Sequence, residues 1–279
     1  MSIFDVAMVG RLGSEALAAT GMGGMLVWAP MSMALGIRTA VQTVSSRRLG
    51  QKKEEESSKS FHNGLIMATI FAFPVTLIGW AYADQIVPLF LEDQTTIFLA
   101  VEYTSIAFIS LLFSVYSFVF VGFYTGVEKT KIHMTVTIIS NIINLYLNAA
   151  LIYGSEGIEL FFREVLPSLS FLKAAWGWTC FPAMGVKGAA YATLVASAWM
   201  AAHYGFYLFS KEIRTRFKVF SFSFNKKMMR KQLQLAIPMG VQECIIAFGW
   251  TFFLKVVGII GVVELATTHI IFTIMHASF

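Results

Sequence analysis

The sequence has few charged residues and almost no cysteine. Of its 279 residues only 13% are charged, whereas 57% are hydrophobic, and the mean hydropathy is +0.68. A soluble chain of this length needs more charge on its surface, so the composition excludes an ordinary water-soluble domain. The two cysteines, Cys180 and Cys244, are too few for a disulfide framework, and we interpret both as packing residues.

Long apolar runs take the place of the missing charge. A helix needs about 20 apolar residues to cross the hydrocarbon core of a bilayer. Five runs without charge meet this requirement, with 22 to 25 residues each: 16–37, 60–83, 103–127, 132–155 and 188–210. A sixth apolar segment, 232–258, contains Glu243 and Lys255, and a seventh follows Glu264. Residues 1–10 are too short to span and lack the features of a signal peptide, so we interpret them as the second half of a first span and expect the chain to be truncated at both ends.

Basic residues gather in alternate loops. Fifteen lie in the loops 47–59, 129–131 and 211–231, and only four lie in the loops between them. Short loops rich in Lys and Arg stay in the cytoplasm. The pattern therefore predicts a multi-pass protein of the cell membrane with a cytoplasmic N-terminus. Because membrane topology explains the net charge of +5, we predict no nucleic-acid partner.

The loops also divide the chain. We predict a transmembrane lobe over residues 1–210, a basic cytoplasmic linker and hinge over 211–231, and the start of a second lobe over 232–279. The outer insert 155–182 contains two tryptophans and suits an amphipathic helix at the membrane interface. A re-entrant pore loop is the alternative for this insert.

An internal repeat supports two similar halves. Residues 9–20 (VGRLGSEALAAT) and 257–268 (VGIIGVVELATT) are identical at six of twelve positions, and each window enters a span. A repeat with an even number of spans gives parallel halves related by an axis along the membrane normal. Extending the period predicts an intact protein of roughly 460 residues.

Six segments resemble, in the same order, motifs of the multidrug and toxic compound extrusion (MATE) transporters. They are FDVAMVGRLGSEALAATG (4–21), RRLGQKKEE (47–55), GFYTGVEKTK (122–131), NIINLYLNAALIYG (141–154), MGVKGAAYATLVAS (184–197) and AIPMGVQE (236–243). The resemblance implies an all-α integral membrane protein with twelve spans in two six-helix lobes, whose central cleft opens alternately inward and outward. This chain would supply one nearly complete lobe and the start of the other.

Asp5 is the first candidate for cation or proton coupling. An ionisable residue within a span is costly and is therefore a functional candidate. Asp5 lies five residues before Gly10, in the outer half of the first span, and matches the acidic residue of that helix in the family. A proton, Na⁺ or a cationic substrate can neutralise a carboxylate, and competition among them is a physical basis for antiport. A structural aspartate bonded to its neighbours is the alternative.

Asn144 and Asn148 are the next candidates. They stand four residues apart in the fifth span and therefore share a helix face, which Asn141 and Ser140 extend. Their amide oxygens can ligate Na⁺ or bind a substrate, so we predict a possible Na⁺ site at Asp5, Asn144 and Asn148. Hydrogen bonds that hold the lobe together are the alternative. One branch of the family has Asp at the position of Asn148, so a mechanism needing two carboxylates here loses support.

Four further residues complete the predicted site. Glu243 is a second candidate for coupling in the seventh span, although it stands three residues before the acidic position of many family members. Its alternative is a partner for a basic group elsewhere. Gln242, Tyr146 and Tyr124 are predicted to line the substrate cleft.

These features together predict a secondary active efflux transporter. It would export small, often cationic, organic compounds by antiport with H⁺ or Na⁺, without a cofactor, as a monomer at full length. A flippase for lipid-linked oligosaccharides is the alternative, although such proteins usually carry several basic residues in the cavity. The sequence shows no converging acid, base or metal groups, so we do not expect an enzyme.

Overall fold

The computed structural model describes residues 3–164 and 181–278, which form helices and short connections without any strand. The helices, in chain order, are α1 Ile3–Gly10, α2 Ser14–Ser32, α3 Ala34–Gly50, α4 Glu54–Ala81, α5 Ala83–Ile86, α6 Gln94–Gly126, α7 Thr130–Glu164, α8 Val186–Leu208, α9 Lys211–Phe217, α10 Lys226–Ile260 and α11 Val262–Ser278. This all-α architecture confirms the predicted fold class.

Five helical segments are long and apolar enough to cross a membrane. They are Ser14–Gly50, which joins α2 and α3, then α4, α6, Thr130–Ser155 of α7, and α10. Four of them overlap the predicted runs without charge, and α10 contains the predicted segment 232–258. Helix α8 contains residues 188–208 of the predicted span 188–210 and is 23 residues long, but it is less apolar than the five. Small and polar side chains lower its hydropathy, and it is packed against α6 and α7.

Ion pairs join the loops at one end of the bundle, which we call the basic end. Arg216 of α9 donates to Glu54 of α4 through Nε and Nη2, at 2.9 and 2.7 Å. Lys129, between α6 and α7, pairs with Glu212 of α9. Because these contacts bring the predicted basic loops together, the structure agrees with their predicted placement on one side of the membrane.

Helix α6 is the centre of the bundle, and α10 lies at its edge. Helix α6 contacts α2, α3, α4 and α8. In its most apolar window 61% of the residues are buried, against 17% for α10. Leu111, Val115 and Phe123 of α6 lie fully inside the core. The outer face of α4 instead exposes large apolar side chains such as Ile70 and Phe73, as expected for a helix in contact with lipid.

Two glycines allow α10 to approach α3 closely. A Cβ atom added to Gly240 would lie 2.5 Å from the carbonyl oxygen of Met33, and one added to Gly36 would lie 2.1 Å from that of Ala236. Only hydrogen fits at both positions. Small residues of this kind bring helices together in membranes, where a hydrophobic driving force between helices is lacking.

The two windows of the predicted repeat have the same local structure. Helix α1 ends at Gly10 and α2 begins at Ser14, with Gly13 between them at a φ of 115°. At the equivalent place α10 ends at Ile260 and α11 begins at Val262, with Gly261 between them. Each window is therefore a helix, a glycine turn and a new helix.

The structure describes only the two ends of the predicted insert 155–182, because residues 165–180 lie outside the described part. Gly154 has a φ of 68° and interrupts α7. The N–H group of Ser155 donates to the carbonyl of Phe181 at 3.3 Å, and that of Met184 donates to Leu151 at 2.8 Å. These bonds close the connection between α7 and α8. The interfacial helix remains a prediction.

A polar cavity as the candidate functional site

A polar cavity of about 250 Å³ lies between α1, α6, α7 and α8 and is open to the surface of the described bundle, where Asn141 is exposed. Nine of its eleven lining residues are polar or tyrosine, which is unusual for a helical membrane protein. The lining residues are Asp5, Tyr103, Ser114, Thr137, Ser140, Asn141, Asn144, Thr193, Ala196, Ser197 and Met200. Asp5 is the one acid among them, and none is basic, so the cavity favours a cation over an anion.

Asp5 and Asn148 meet at the wall of this cavity. The Nδ2 group of Asn148 donates to Oδ1 of Asp5 and also to Oδ1 of Asn144, the latter at 3.1 Å. Asp5 is 5% exposed and Asn148 is fully buried. Two facing oxygens fix the orientation of the amide, because its nitrogen must point towards them. The structure thus brings together the three residues that the sequence predicted as a coupling site.

Two buried oxygens near the cavity have no hydrogen-bond partner among the described residues. They are Oδ1 of Asn148 and Oγ of Ser140, and both side chains are at least nine-tenths buried. A buried polar atom without a partner is costly. Carboxylate, amide and hydroxyl oxygens are hard donors that suit a proton carrier or a small cation. The arrangement can therefore hold a cation and release it.

Helix α7 supplies one side of the cavity because its polar residues repeat with helical spacing. Thr137, Ser140, Asn141, Asn144 and Asn148 fall within an arc of about 100° when each residue turns the helix by about 100°. Four of the five were predicted from the sequence, namely Ser140, Asn141, Asn144 and Asn148. Thr137 could have been found by extending the stripe one turn, since it stands four residues before Asn141.

Other lining residues gave no clear signal in the sequence. Tyr103 comes from α6, and Thr193 and Ser197 come from α8. The two hydroxyls bond to carbonyls of their own helix, Thr193 to Ala189 at 3.0 Å and Ser197 to Leu194 at 2.9 Å. Such local bonds are common for Ser and Thr in helices. Only the packing of α8 against α7 reveals that they face a cavity.

The short helix α1 is held in place by α7. Besides the bond between Asp5 and Asn148, the hydroxyl of Tyr153 donates to the carbonyl of Met8 at 2.6 Å. Val9 is fully buried one residue later. Helix α1 is therefore bonded to α7 at Asp5 itself and three residues later at Met8.

The remaining predicted site residues lie away from the cavity. Tyr124 is fully buried, and its hydroxyl donates to the backbone carbonyl of Tyr204 at 2.9 Å, so in this structure it packs inside the lobe instead of facing a cleft. Tyr146 is half-buried on the face of α7 opposite the polar stripe. Glu243 is half-buried and Gln242 exposed on α10, and neither lines the cavity.

The fold and the cavity define a multi-pass helical membrane protein with an internal polar site, which is the architecture of a solute transporter. The family model described as MatE matches residues 1–150 of the chain, more than half of it. The chain therefore belongs to the MatE family, as its motifs predicted.

Curated relatives and solved structures agree with this assignment. The chain is 25% identical over 247 residues to the probable multidrug resistance protein NorM of Listeria monocytogenes serovar 1/2a, which covers 86% of this chain and 48% of the relative. The corresponding protein of Bacillus anthracis is 27% identical over 248 residues, with 86% and 48% covered. The chain thus spans about half the length of the curated relatives it matches.

Two solved structures share the fold. One is the inward-facing conformation of a multidrug resistance MATE family transporter of the MOP superfamily, with a TM-score of 0.77, 20% identity, and coverage of 96% of this chain and 55% of the other. An outward-facing conformation gives a TM-score of 0.72 at 21% identity, with 95% and 58% covered. At this identity the matches establish the fold.

Proposed function

We propose that this chain is the N-terminal part of a secondary active efflux transporter. It exports small, often cationic, organic compounds by antiport with H⁺ or Na⁺. The observation that carries the proposal is a buried carboxylate, Asp5, in a polar cavity of the first lobe and hydrogen-bonded to Asn148. A carboxylate can exchange one bound cation for another. An ion gradient then acts on the transporter by changing which cation occupies the carboxylate.

The proposed topology places the basic end in the cytoplasm, following the excess of Lys and Arg in its loops. The protein is then a multi-pass component of the cell membrane with a cytoplasmic N-terminus. Asp5 lies about one and a half turns from Gly10, the end of α1 that faces away from the basic end, and is accordingly closer to the outer surface. Cations from outside reach it over a shorter path than cations from the cytoplasm.

The proposed full-length protein is a monomer with two six-helix lobes that alternate between inward and outward openings. Residues 1–210 form the first lobe, 211–231 the linker and 232–279 the start of the second. In support of a second lobe, α10 exposes large apolar side chains such as Ile245 and Phe252, which lipid or further helices would cover.

Export by the full-length protein in vesicles tests this proposal. A fluorescent organic cation is followed under an imposed H⁺ or Na⁺ gradient in the parent, in Asp5→Asn and in Asp84→Asn. Asp84 is an exposed acid in α5 and serves as a matched control. Either the H⁺ gradient or the Na⁺ gradient should accelerate export by the parent and by Asp84→Asn. Asp5→Asn should still bind the substrate, but the gradient should no longer accelerate its export.

Equal gradient-driven export by the parent and Asp5→Asn would refute the role of Asp5. Transport that ignores both gradients would point to the flippase alternative. The cavity gives that alternative no support, since none of its lining residues is Lys or Arg, the side chains that would bind an anionic lipid-linked sugar.

A further inference from the structure

A group of hydrogen-bonded side chains lies between the polar cavity and the basic end of the bundle. Nδ1 of His133 is 2.6 Å from the hydroxyl of Tyr204 and 3.2 Å from Oγ1 of Thr137. Thr137 also lines the cavity. His133 thus connects the cavity to the first turn of α7, which begins at Thr130 beside the basic loop. We call His133, Thr137 and Tyr204 the inner group.

The inner group continues the polar stripe of α7. His133 falls within the same arc of about 100° as Thr137, Asn144 and Asn148. From His133 to Asn148 the stripe is about 22 Å long, at about 1.5 Å per residue. It leads from the first turn of α7 to the amide that donates to Asp5.

A cluster of aromatic rings packs beside the inner group. Phe120, Tyr124 and Tyr204 stack on each other, with ring centroids 5.8 to 6.3 Å apart. Tyr124 and Tyr204 are fully buried. Apolar packing of this kind excludes water and ions. The pair formed by His133 and the Tyr204 hydroxyl is a polar interruption of this barrier.

Antiport with protons requires that a proton taken up at Asp5 from outside is released to the cytoplasm when the transporter faces inward. We propose that the polar stripe of α7 is the route of this release in the inward-facing state and that His133 is a second protonation site at its cytoplasmic exit. The inference rests on the proposed function, and it assigns the exit to the interior of the first lobe.

The proton balance of the route is simple. The carboxyl of Asp5 gives up one proton, which crosses the cavity through water, since about 250 Å³ holds several molecules. His133 takes the proton up as an imidazolium and releases one to the cytoplasm. After the transfer Asp5 is ionised and His133 is neutral again. Histidine suits this task because small changes in its surroundings switch its charge near physiological pH.

The groups around His133 can control this transfer. Tyr204 of α8 is hydrogen-bonded to it, and Tyr124 of α6 packs against Tyr204.

Proton release by the full-length protein in vesicles tests the inference. A pH-sensitive dye on the cytoplasmic side reports protons, and a fluorescent cation reports binding and export. His133→Gln keeps hydrogen-bonding groups but carries no proton. Proton-driven export should therefore fall at least about a hundredfold, the lower end of what general acid–base groups contribute, with substrate affinity within about twofold of the parent. His203→Gln is the control, since the ring of His203 packs on Trp199 and Tyr207 and His203 does not line the cavity.

A second variant covers the case in which His133→Gln does not fold. Thr137→Val removes the hydroxyl at nearly constant volume and should slow proton release in the same way. Parent-like proton release in either folded variant would overturn the inference, as would an equal loss in His203→Gln. If Asp5→Asn abolishes the gradient response while His133→Gln does not, only this inference fails. If Asp5→Asn keeps the response, the proposed function itself fails.

Discussion

At the scale of single residues, the polar groups that matter most are those whose partners come from another helix. The amide of Asn148 donates to Asp5. Of the two side chains only that of Asp5 is ionisable, so in the proposed transport cycle this pair changes its charge by one unit. A carboxylate at both positions would repel its neighbour or share a proton with it.

Asp93 lies outside the membrane-spanning segments, at the N-terminus of α6, and gives a prediction at the scale of one residue. Its Oδ2 accepts from the backbone N–H and from the hydroxyl of Thr96, both at 2.8 Å, and caps α6. These bonds hold the pKa of the Asp93 carboxyl below its ordinary value, with the backbone bond the larger cause. A depressed pKa contributes stability above the pKa of the unfolded chain, and this contribution is lost as the pH falls through the folded value.

We therefore expect Asp93→Ala to lower the melting temperature at neutral pH. Asp93→Asn should retain the cap, because the amide oxygen still accepts, and should melt with a weaker dependence on acid. Thermal melts in detergent between neutral and strongly acidic pH measure both effects. Parallel curves for the parent and Asp93→Asn would show that the carboxylate contributes nothing to the acid response.

At the scale of elements, the contact between α3 and α10 depends on glycine. Gly240→Ala would place a Cβ atom 2.5 Å from the carbonyl oxygen of Met33, which is backbone and cannot move aside easily. We expect this variant to lose about 1–3 kcal/mol of stability through overpacking. Gly249→Ala is the matched control on the same helix, since no atom of the described residues lies within 4 Å of the added Cβ.

The control should be neutral or slightly stabilising, because alanine favours a helix over glycine by up to about 1 kcal/mol. Thermal unfolding of both variants in the same detergent gives the comparison. An equal shift for the two would show that α10 tolerates a wider separation from α3 and that the glycine contact is not needed.

Some features of the helices were predictable from the sequence, and others were not. Apolar runs predicted the helices, since a span must keep its backbone bonded internally and its surface apolar. Spacing along one helix predicted that Asn144 and Asn148 share a face. The sequence did not predict that Tyr103 and Thr193 meet them, because contacts between helices depend on packing that no periodicity records. The prediction that Tyr124 lines a cleft differs from the structure for the same reason, since Tyr124 packs in the core.

At the scale of the whole molecule, the linker is docked on the first lobe. Nε2 of His62 is 2.6 Å from the carbonyl of Val219. Asn63 donates to the carbonyl of Asn225 at 3.1 Å and accepts from its N–H group at 3.3 Å. The partners are more than 150 residues apart in the chain. A linker predicted as a hinge is thus tied to α4 by buried bonds as well as by ion pairs at the surface.

The two kinds of contact should differ in strength. Asn63 is fully buried, and losing a buried hydrogen bond costs about 1–3 kcal/mol. The ion pair between Glu54 and Arg216 is partly exposed, and pairs of that kind contribute little because solvent screens them. The buried amide of Asn63 should accordingly hold the linker, while Glu54 should add little.

Limited proteolysis separates these contributions. Phe220, Phe222 and Phe224 of the linker are more than half exposed and offer sites for chymotrypsin once the backbone opens. The population of the open linker sets the cleavage rate when opening is fast. Asn63→Ala should raise that rate about tenfold through about 1.4 kcal/mol, whereas Glu54→Gln should change it by less than about threefold. Cleavage that Glu54→Gln accelerates as much as Asn63→Ala would mean that surface charge, and not the buried amide, fastens the linker.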